Sequence, residues 1–362
     1  MKYIKYLLLL SLVFVFTSCI KEDGDNIGKN QSKNCNKIND RISTSYTKKT
    51  GQKNSYFPNG EIVEIGCLKD DGYYRGGVDP RYSKNNVSGI VTDGITGLQW
   101  QDSSDTGKPW LNQVNFDKCL GQNGQVLDES KCSDTSGDTA ISYCNSLSLA
   151  GYDDWRLPSI DELMYIADRS KKRKAIDERY FQHIIPSIYW SSTTFQSNKP
   201  MAWSVNFEVG RDFQSSKSAV KGVVCVRNNN QVQQDKYIRD DAKQIVQDTK
   251  QNLIWQDNAD AKGKQLQWFD AITYCEDLKL GGYTDWRMPN INELFFVANR
   301  DEKEPAMNGV AFKNISSWGF YWSSTSFIIS PDAVWSVEFA NGTTKWPDKS
   351  NKEYIRCVRD GD

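Results

Sequence analysis

The sequence predicts an α+β fold that consists of two tandem copies of one domain. The stretch "GYDDWRLPSIDEL" (residues 151–163) returns almost unchanged as "GYTDWRMPNINEL" (residues 282–294), and "YWSST" occurs at 189–193 and again at 321–325. The copies are about 130 residues apart, which is too long for a solenoid unit of about 20–50 residues. We therefore expect two complete domains.

Each copy is expected to contain two helices followed by several short strands. Apolar residues three or four positions apart predict both helices, and each first helix carries a cysteine on its apolar face. The residues of these helical patterns are Ala140, Cys144 and Leu147, then Ile160, Leu163, Met164 and Ala167, and in the second copy Ala271, Cys275 and Leu278, then Ile291, Leu294, Phe295 and Ala298. Alternating apolar residues predict a strand at 203–207 and its equivalent at 335–339.

The first nineteen residues predict an exported protein with a lipid anchor. The apolar run "LLLLSLVFVF" follows two lysines and is too short to span a bilayer, which is typical of a secretory signal. It ends in "FTSC", which resembles a bacterial lipoprotein processing site with Cys19 as the acylated residue. Simple signal cleavage nearby is the alternative. We expect a location in the bacterial cell envelope, at the outer membrane or cell surface rather than the inner membrane.

The rest of the chain divides by composition and by the repeat. Residues 20–59 are rich in Lys, Asn, Asp, Ser and Gly, so we expect a flexible tether. The first domain is expected at 60–228 and the second at 229–362. About 24 residues are present only in the first copy, within an insertion near 103–136.

The nine cysteines favour disulfides. If Cys19 carries lipid, eight remain, which is an even number in an exported chain. Cys119 and Cys132 lie in the insertion and would staple it. Cys35, in the tether, could pair with Cys67.

The repeated polar residues have structural explanations that compete with chemical ones. Glu162 and Glu293 resemble catalytic carboxylates, but each lies three residues after a helix N-cap, where a capping box needs it. Trp155-Arg156 and Trp286-Arg287 suggest an aromatic and cationic ligand platform; the alternative is a buried Trp beside an Arg that is tied to a carboxylate such as Asp154 or Asp285.

The sequence offers little for catalysis or metal binding. The serines of "YWSST" have no repeated base, because His183 is the single histidine of the chain. Asp102 and Asp257 of "WQD" could bind calcium, but nothing nearby has the spacing of a calcium loop. We expect no catalytic residues, no metal site and no cofactor.

Ligand-binding candidates are residues that only one copy contains. The net charge of −1 gives no reason to expect nucleic acid, so a charged partner requires a local patch. The first copy has a basic run where the second has "EKEP", and the second has a tryptophan and a lysine in "TKWPDKS" where the first has Gln214. The candidates for an acidic or sulfated glycan are Lys171, Lys172, Arg173 and Lys174, and Lys345 and Trp346. The alternatives are a solvated loop for the basic run and packing within its own domain for the tryptophan.

Several motifs together resemble the Lcl C-terminal domain family, named for a bacterial collagen-like adhesin. They include "DDGYY" (70–74), "VTDGITGLQWQD" (91–102), "YWSST" and "VVCVR" (223–227), and the second copy lacks only a clear "DDGYY". The resemblance covers about 60–228 and 229–362. It implies two C-type-lectin-like domains, each with two helices and a small, mostly antiparallel sheet. It also implies that a cysteine on the first helix bonds one on the last strand, giving Cys144–Cys225 and Cys275–Cys357.

The resemblance favours a non-catalytic binding or adhesion module, since the named member resembles a binder of sulfated glycosaminoglycans. Two alternatives stay open. One is an enzyme like the formylglycine-generating oxidases, which have a related fold and use reactive cysteines. The other is a purely structural envelope lipoprotein. The expected partners are a sulfated or acidic glycan and, through the lipid anchor only, a membrane.

Overall fold

The two copies have the same order of elements in the computed structural model, apart from one short helix that is particular to each copy. The structure describes residues 43–57, 59–64, 67–103, 107–121, 123–228 and 237–362. The expected signal segment with Cys19, and the part of the expected tether that contains Cys35, lie outside the described residues. Within the described ranges, no helix is both long and apolar enough to cross a membrane.

An N-terminal segment precedes the first copy. Its elements are β1 (Ser55–Tyr56), β2 (Ile62–Val63) and helix α1 (Asp71–Tyr74). The elements of the first copy are β3 (Tyr82–Asn85), β4 (Ile90–Asp93), β5 (Leu98–Gln101), β6 (Lys108–Pro109), α2 (Gln113–Cys119), α3 (Ala140–Asn145), α4 (Ile160–Tyr165), β7 (Ile188–Thr194), β8 (Met201–Asn206), β9 (Arg211–Ser216), β10 (Val220–Lys221) and β11 (Val226–Asn228).

The second copy repeats this order, except that it lacks the insertion with α2 and has one short helix of its own between its third and fourth strands. Its elements are β12 (Tyr237–Asp240), β13 (Ile245–Asp248), β14 (Leu253–Gln256), α5 (Ala259–Gly263), β15 (Gln265–Leu266), α6 (Trp268–Asp277), α7 (Ile291–Phe296), β16 (Phe320–Ser326), β17 (Val334–Glu338), β18 (Thr343–Lys345), β19 (Glu353–Tyr354) and β20 (Val358–Asp360). Both expected helices are present in each copy, and α2 and α5 are short additional ones.

The sheets are small and mostly antiparallel. In the first copy the strand orders are β11-β5-β4-β3 and β7-β8-β9, with β6 and β10 as a separate pair. In the second copy they are β12-β13-β14-β20 and β15-β19-β16-β17-β18, where only the β16–β19 pairing is parallel. The last strand of each copy pairs with its "LQW" or "LIW" strand, so that Val226 lies opposite Trp100 and Val358 opposite Trp255. The structure is therefore α+β.

The second helix of each copy begins at a complete capping box. Ser159 accepts from the backbone N–H of Glu162, whose carboxylate accepts from the Ser159 N–H. Asn290 and Glu293 do the same in the second copy. These contacts satisfy N–H groups that have no partner within the helix. The capping interpretation of both glutamates is confirmed.

Matched tryptophans form the cores. Each copy has one apolar cluster against its second helix and one around its helix-to-strand disulfide. The matched pairs, all fully buried, are Trp100 and Trp255, Trp155 and Trp286, Trp190 and Trp322, and Trp203 and Trp335. Burial of an aromatic side chain contributes about 1.5–3 kcal/mol, so the same scaffold requires the same tryptophans twice.

Each copy contains a disulfide within it, and the two disulfides join equivalent positions of their own copies. The structure contains Cys144–Cys225 and Cys275–Cys357, which join the first helix to the residue just before the last strand, and Cys119–Cys132 within the insertion. These are the pairs that the sequence and the resemblance predicted. Cys67 is also disulfide-bonded, while Cys35, its predicted partner, lies outside the described residues.

The N-terminal segment packs on the second copy, although it precedes the first. Val63 and Leu68 join the apolar cluster that contains Trp286 and Trp322. The Asp71 carboxylate accepts a hydrogen bond from the Thr325 hydroxyl at 2.8 Å. The "DDGYY" motif, which the sequence assigned to the first domain, therefore completes the copy that lacks this motif.

Residues 43–57 correct the expected tether, which was placed at 20–59. Lys48 and Thr50 are buried, and the Lys48 ammonium donates to the carbonyls of Tyr165 and Ala167 in the first copy. The Lys48 carbonyl accepts from Asn292 in the second copy. Polar composition suggested mobility, but these polar side chains find buried partners in both copies.

Two equivalent buried lysines show that a different segment of the chain packs over each copy. The Lys217 ammonium donates to the carbonyl of Cys132 at 2.6 Å, and the equivalent Lys349 donates to the carbonyl of Tyr56 at 2.7 Å. Burial lowers the pKa of Lys217 to about 7 and that of Lys349 to about 8. The insertion of the first copy thus occupies the place that the N-terminal segment occupies on the second.

The packing of the N-terminal segment on the second copy is expected to be more stable at weakly acidic pH than at neutral pH. Burial raises the pKa of Asp70 to about 7 and that of Asp71 to about 6. Because the folded pKa exceeds the unfolded one, the stability from these carboxyls is complete below about pH 4 and is lost as the pH rises through 6 to 7. Hydrogen exchange should therefore give higher protection factors for residues 44–57 at pH 5 than at pH 7.

Asp70→Asn should reduce this pH dependence, because an amide does not titrate. Strand β8, which is remote from the two carboxyls, serves as the internal control. Equal protection at both pH values in the unmodified chain would contradict the prediction.

Candidate functional site

The basic run lies on a loop after helix α4 whose base is fixed by a bridge between Ala167 and Ile176. Within the run, Lys171 donates to the carbonyl of Ile176 at 2.5 Å, and Lys174 pairs with Glu178 at 3.1 Å. These two cations are half-buried and engaged. The four adjacent cations that the sequence suggested are therefore not equivalent.

Lys172 and Arg173 form the exposed part of this loop. Within the described residues, neither side chain makes a hydrogen bond or an ion pair, so both remain free to contact a ligand. Here "basic loop" means residues 168–175.

Trp346 packs against the rest of the protein instead of standing free. Its ring stacks on Phe327 with centroids 4.7 Å apart and contacts Trp335 edge-on at 5.6 Å. The guanidinium of Arg211, from the first copy, lies 4.3 Å from the ring centroid. Lys345 is exposed. Packing accounts for most of the Trp346 ring, which leaves little of the flat surface that a sugar would need.

The repeated Trp-Arg pairs are structural. Arg156 forms a bidentate pair with Glu162 at 2.6 and 2.7 Å, and Arg287 forms the same pair with Glu293 at 2.7 Å. The structure thus supports the interpretation of an arginine tied to a carboxylate, but the carboxylate is the capping glutamate and not Asp154 or Asp285, the examples that the sequence suggested. Each aspartate binds the arginine of the last strand instead, as Asp154 binds Arg227 and Asp285 binds Arg359. The capping glutamate lies in the first turn of the following helix and presents both oxygens to the guanidinium.

The serine and aspartate candidates also have structural partners. The Ser191 hydroxyl donates to the carbonyl of Trp203, and Ser323 donates to that of Trp335. Asp102 accepts from the backbone N–H groups of residues 182 and 183. Within the described ranges, no group of three His, Cys, Asp or Glu residues is placed to hold a metal ion.

Two arginines cross between the copies in a reciprocal arrangement. Arg169 donates through Nη1 to Asn292 of the second copy, and Arg300 donates through Nη1 to Asp161 of the first copy at 3.1 Å. Both guanidinium groups also lie within 5.2 Å of the centroid of the Phe295 ring. The acceptors Asp161 and Asn292 lie in the repeated motifs at 151–163 and 282–294, so these motifs supply part of the contact between the domains.

A cavity of about 280 Å³ lies where the two copies and the N-terminal segment meet. Its lining includes Gly51 and Gln52 from the N-terminal segment, Arg169 and Ser170 from the basic loop, and Ser326 at the end of strand β16. Residues from three separate parts of the chain therefore line one cleft that is open to solvent.

Arg169 is the buried cation of this cavity, with a relative exposure of 2%. Its Nε and Nη2 groups and the Ser326 hydroxyl have no hydrogen-bond partner within the described chain. Sequence reasoning did not select Arg169. The sequence did contain an indication, because Arg169 and Arg300 occupy equivalent positions in "IADRS" and "VANRD". An arginine that is repeated just after an apolar helix in both copies indicates a buried side chain.

The family follows from a comparison with protein-family models. The model of the Lcl C-terminal domain matches residues 89–227 and 244–359, which together exceed half of the chain. The chain belongs to the Lcl C-terminal domain family. No match was found among the curated proteins.

The cavity extends beyond the two Lcl C-terminal domains. Arg169 and Ser326 lie inside the matched ranges, whereas Gly51 and Gln52 precede them. A single Lcl C-terminal domain would therefore supply only part of the lining. The tandem arrangement and the N-terminal segment create this space.

Proposed function

We propose that the protein is an exported lipoprotein of the bacterial cell envelope, anchored through Cys19 at the outer membrane or cell surface. Its two C-type-lectin-like domains act as a non-catalytic binding or adhesion module for sulfated or acidic glycans. The observation that carries the ligand class is the exposed pair Lys172 and Arg173 on the basic loop. A guanidinium beside an ammonium suits sulfate and carboxylate groups, since Arg can bind either in bidentate fashion.

The state of the cysteines supports binding over oxidase chemistry. All seven cysteines in the described part of the chain are disulfide-bonded. An oxidase of the formylglycine-generating kind would need a reactive thiol. The buried serines and carboxylates described above are likewise engaged in structural contacts.

Heparin tests the basic loop on the purified full chain. Lys172→Glu with Arg173→Glu should weaken heparin binding about tenfold at low salt, because two favourable surface charge contacts become repulsive. Binding by the unmodified chain should also weaken as the salt concentration rises and screens exposed charges. Isothermal titration calorimetry at about 0.05 M and at about 0.3 M salt measures both effects.

Lys303→Glu provides the matched control, because Lys303 is exposed at the position of Lys172 in the second copy. Lys172→Glu should weaken heparin binding more than Lys303→Glu does. Equal effects would indicate a response to net charge alone and would contradict a site on the basic loop. Undetectable heparin binding by the unmodified chain would favour a purely structural lipoprotein.

A further inference from the structure

We infer that the first copy binds an extended peptide segment of a partner protein, one that carries an aspartate and a tyrosine three residues apart. The site is the surface that matches the one covered by residues 70–76 on the second copy. Its residues, together called the open face, are Arg156, Ser159, Glu162, Ser192 and Thr193. The open face is separate from the basic loop, so this inference is independent of glycan binding.

Equivalent positions of the two copies differ in burial at this surface. Both copies have the same local contacts, since Ser192 donates its backbone N–H to the Pro158 carbonyl at 2.7 Å and Ser324 donates to that of Pro289 at 2.8 Å. Every residue of the open face is nevertheless partly exposed, whereas each counterpart in the second copy is at most 6% exposed. Those counterparts are Arg287, Asn290, Glu293, Ser324 and Thr325. The difference comes from residues 70–76, which lie over the second copy.

On the second copy the covering segment makes three contacts that a peptide could repeat. The Asp71 carboxylate accepts from the Thr325 hydroxyl at 2.8 Å, and the Gly76 carbonyl accepts from the Asn290 side chain at 3.4 Å. The Tyr74 ring lies 6.0 Å from the guanidinium of the buried arginine, within the range of a cation–π contact. An acid, a tyrosine three residues later and a backbone carbonyl are thus the groups that this surface recognises.

The open face offers the same groups to an incoming chain. The Thr193 oxygen accepts from the N–H of Ile160 at 3.1 Å, as its counterpart does at 3.0 Å in the second copy. Its hydroxyl hydrogen remains as a donor, and among the described residues no group accepts it. The Ser159 hydroxyl takes the position of the second copy's amide, and either group can donate to a carbonyl. The Arg156 side chain is 41% exposed, so a tyrosine ring can reach it.

The occupant is a partner protein because the chain's own segment is already engaged. The Asp70 and Asp71 side chains are buried, with at most 2% exposure, and Asp70 caps helix α1 through the N–H of Tyr73. "DDGYY" occurs once in the sequence, so one chain cannot fill both surfaces. A segment of another protein is therefore required.

One difference between the copies defines the partner further. On the second copy Glu276 accepts from the Tyr74 hydroxyl at 2.6 Å and pairs with Lys69 at 2.8 Å. The first copy has Asn145 at this position, and it is exposed. An amide can bond a tyrosine hydroxyl, but it carries no charge to attract an ammonium. The partner segment thus needs the tyrosine and does not need a basic residue two positions before its aspartate.

A labelled synthetic peptide with the sequence of residues 68–78 tests the inference on the full chain by fluorescence anisotropy. The peptide should bind. Asp71→Ala within the peptide should weaken binding about tenfold, as expected for loss of a hydrogen bond to a charged group, whereas Lys69→Ala within the peptide should have no effect.

Variants of the protein test the open face directly. Thr193→Val should weaken peptide binding about tenfold, whereas Thr193→Ser, which keeps the hydroxyl, should bind the peptide normally. Arg156→Gln should weaken binding about two- to fivefold, as expected for loss of one cation–π contact. Thr325→Val, the matched change in the second copy, should not weaken binding.

Photo-crosslinking locates the bound peptide. A benzophenone group at the Tyr74 position of the peptide should label the first copy near Arg156 and Asn145. Labelling around Arg287 instead would show exchange with the chain's own segment and would overturn the inference.

Lys172→Glu with Arg173→Glu should bind the peptide normally, so failure of glycan binding would not affect this result. The inference is overturned if the peptide does not bind, or if folded Thr193→Val and Arg156→Gln bind it as tightly as the unmodified chain. It is also overturned if sedimentation shows a dimer of the unmodified chain that the peptide dissociates, since the occupant would then be a second copy of this chain.

Discussion

Arg287→Gln is expected to destabilise the protein by about 3–5 kcal/mol, because it leaves two buried carboxylates without their cation. Arg287 bonds both Glu293 and Asp360 at 2.7 Å, and all three side chains are at most 8% exposed. Burial alone would lower the pKa of Arg287, but the two carboxylates raise it above its ordinary value. Urea unfolding of the variant and the unmodified chain measures the loss.

The first copy provides the matched control for this change. Arg156 makes the same bidentate pair with Glu162, yet its side chain is 41% exposed and that of Glu162 is 23% exposed. Arg156→Gln should therefore cost only about 0–1 kcal/mol, the range for solvent-exposed pairs. Losses of equal size in the two variants would show that burial does not set the strength of this pair.

The N-terminal segment explains why the Arg287–Glu293 pair is buried, whereas the equivalent Arg156–Glu162 pair is partly exposed. A Cβ atom added to Gly76 would lie 3.5 Å from Nη2 of Arg287, and the ring of Tyr74 lies 6.0 Å from the guanidinium. These residues cover the ion pair of the second copy and leave the Arg287 side chain only 8% exposed. Because the effective dielectric constant is lower away from solvent, removal of one member of the pair reduces the stability of the fold by more.

Removal of the Cys275–Cys357 disulfide is expected to cost about 4.5 kcal/mol in the chain-entropy account. The bond closes a loop with a sequence separation of 82, so it removes much of the conformational freedom of the unfolded chain. Both sulfurs are fully buried beside Trp286 and Trp322. Urea unfolding of Cys275→Ala with Cys357→Ala under non-reducing conditions measures the effect.

The Cys119–Cys132 bond tests the dependence on loop length. Its sequence separation is only 13, so the same account predicts a loss of about 3 kcal/mol for Cys119→Ala with Cys132→Ala. An equal or larger loss for the short loop would argue against an entropic origin. Peptide mapping without reduction should find no disulfide between a cysteine of the first copy and one of the second.

Much of each domain could be predicted because it depends on neighbouring residues. The capping boxes at Ser159 and Asn290 need only a carboxylate three positions later, and both form. The repeat itself identified the buried tryptophans and the cysteine on each first helix. Partners of charged residues were harder. For Arg156 the sequence suggested a neighbouring carboxylate such as Asp154, but Arg156 binds Glu162 and Asp154 binds Arg227.

Local spacing, repeated twice along the chain, was sufficient to predict the two-domain α+β organisation, the helix starts and the residues that both copies bury. Three contacts became apparent only in the folded chain: "DDGYY" packs on the second copy, Trp346 lies against Arg211, and Arg169 lines a cleft between the domains. These contacts join residues more than about a hundred positions apart. No local pattern encodes them, because they form only when separately folded surfaces meet and buried polar groups find partners across the interface.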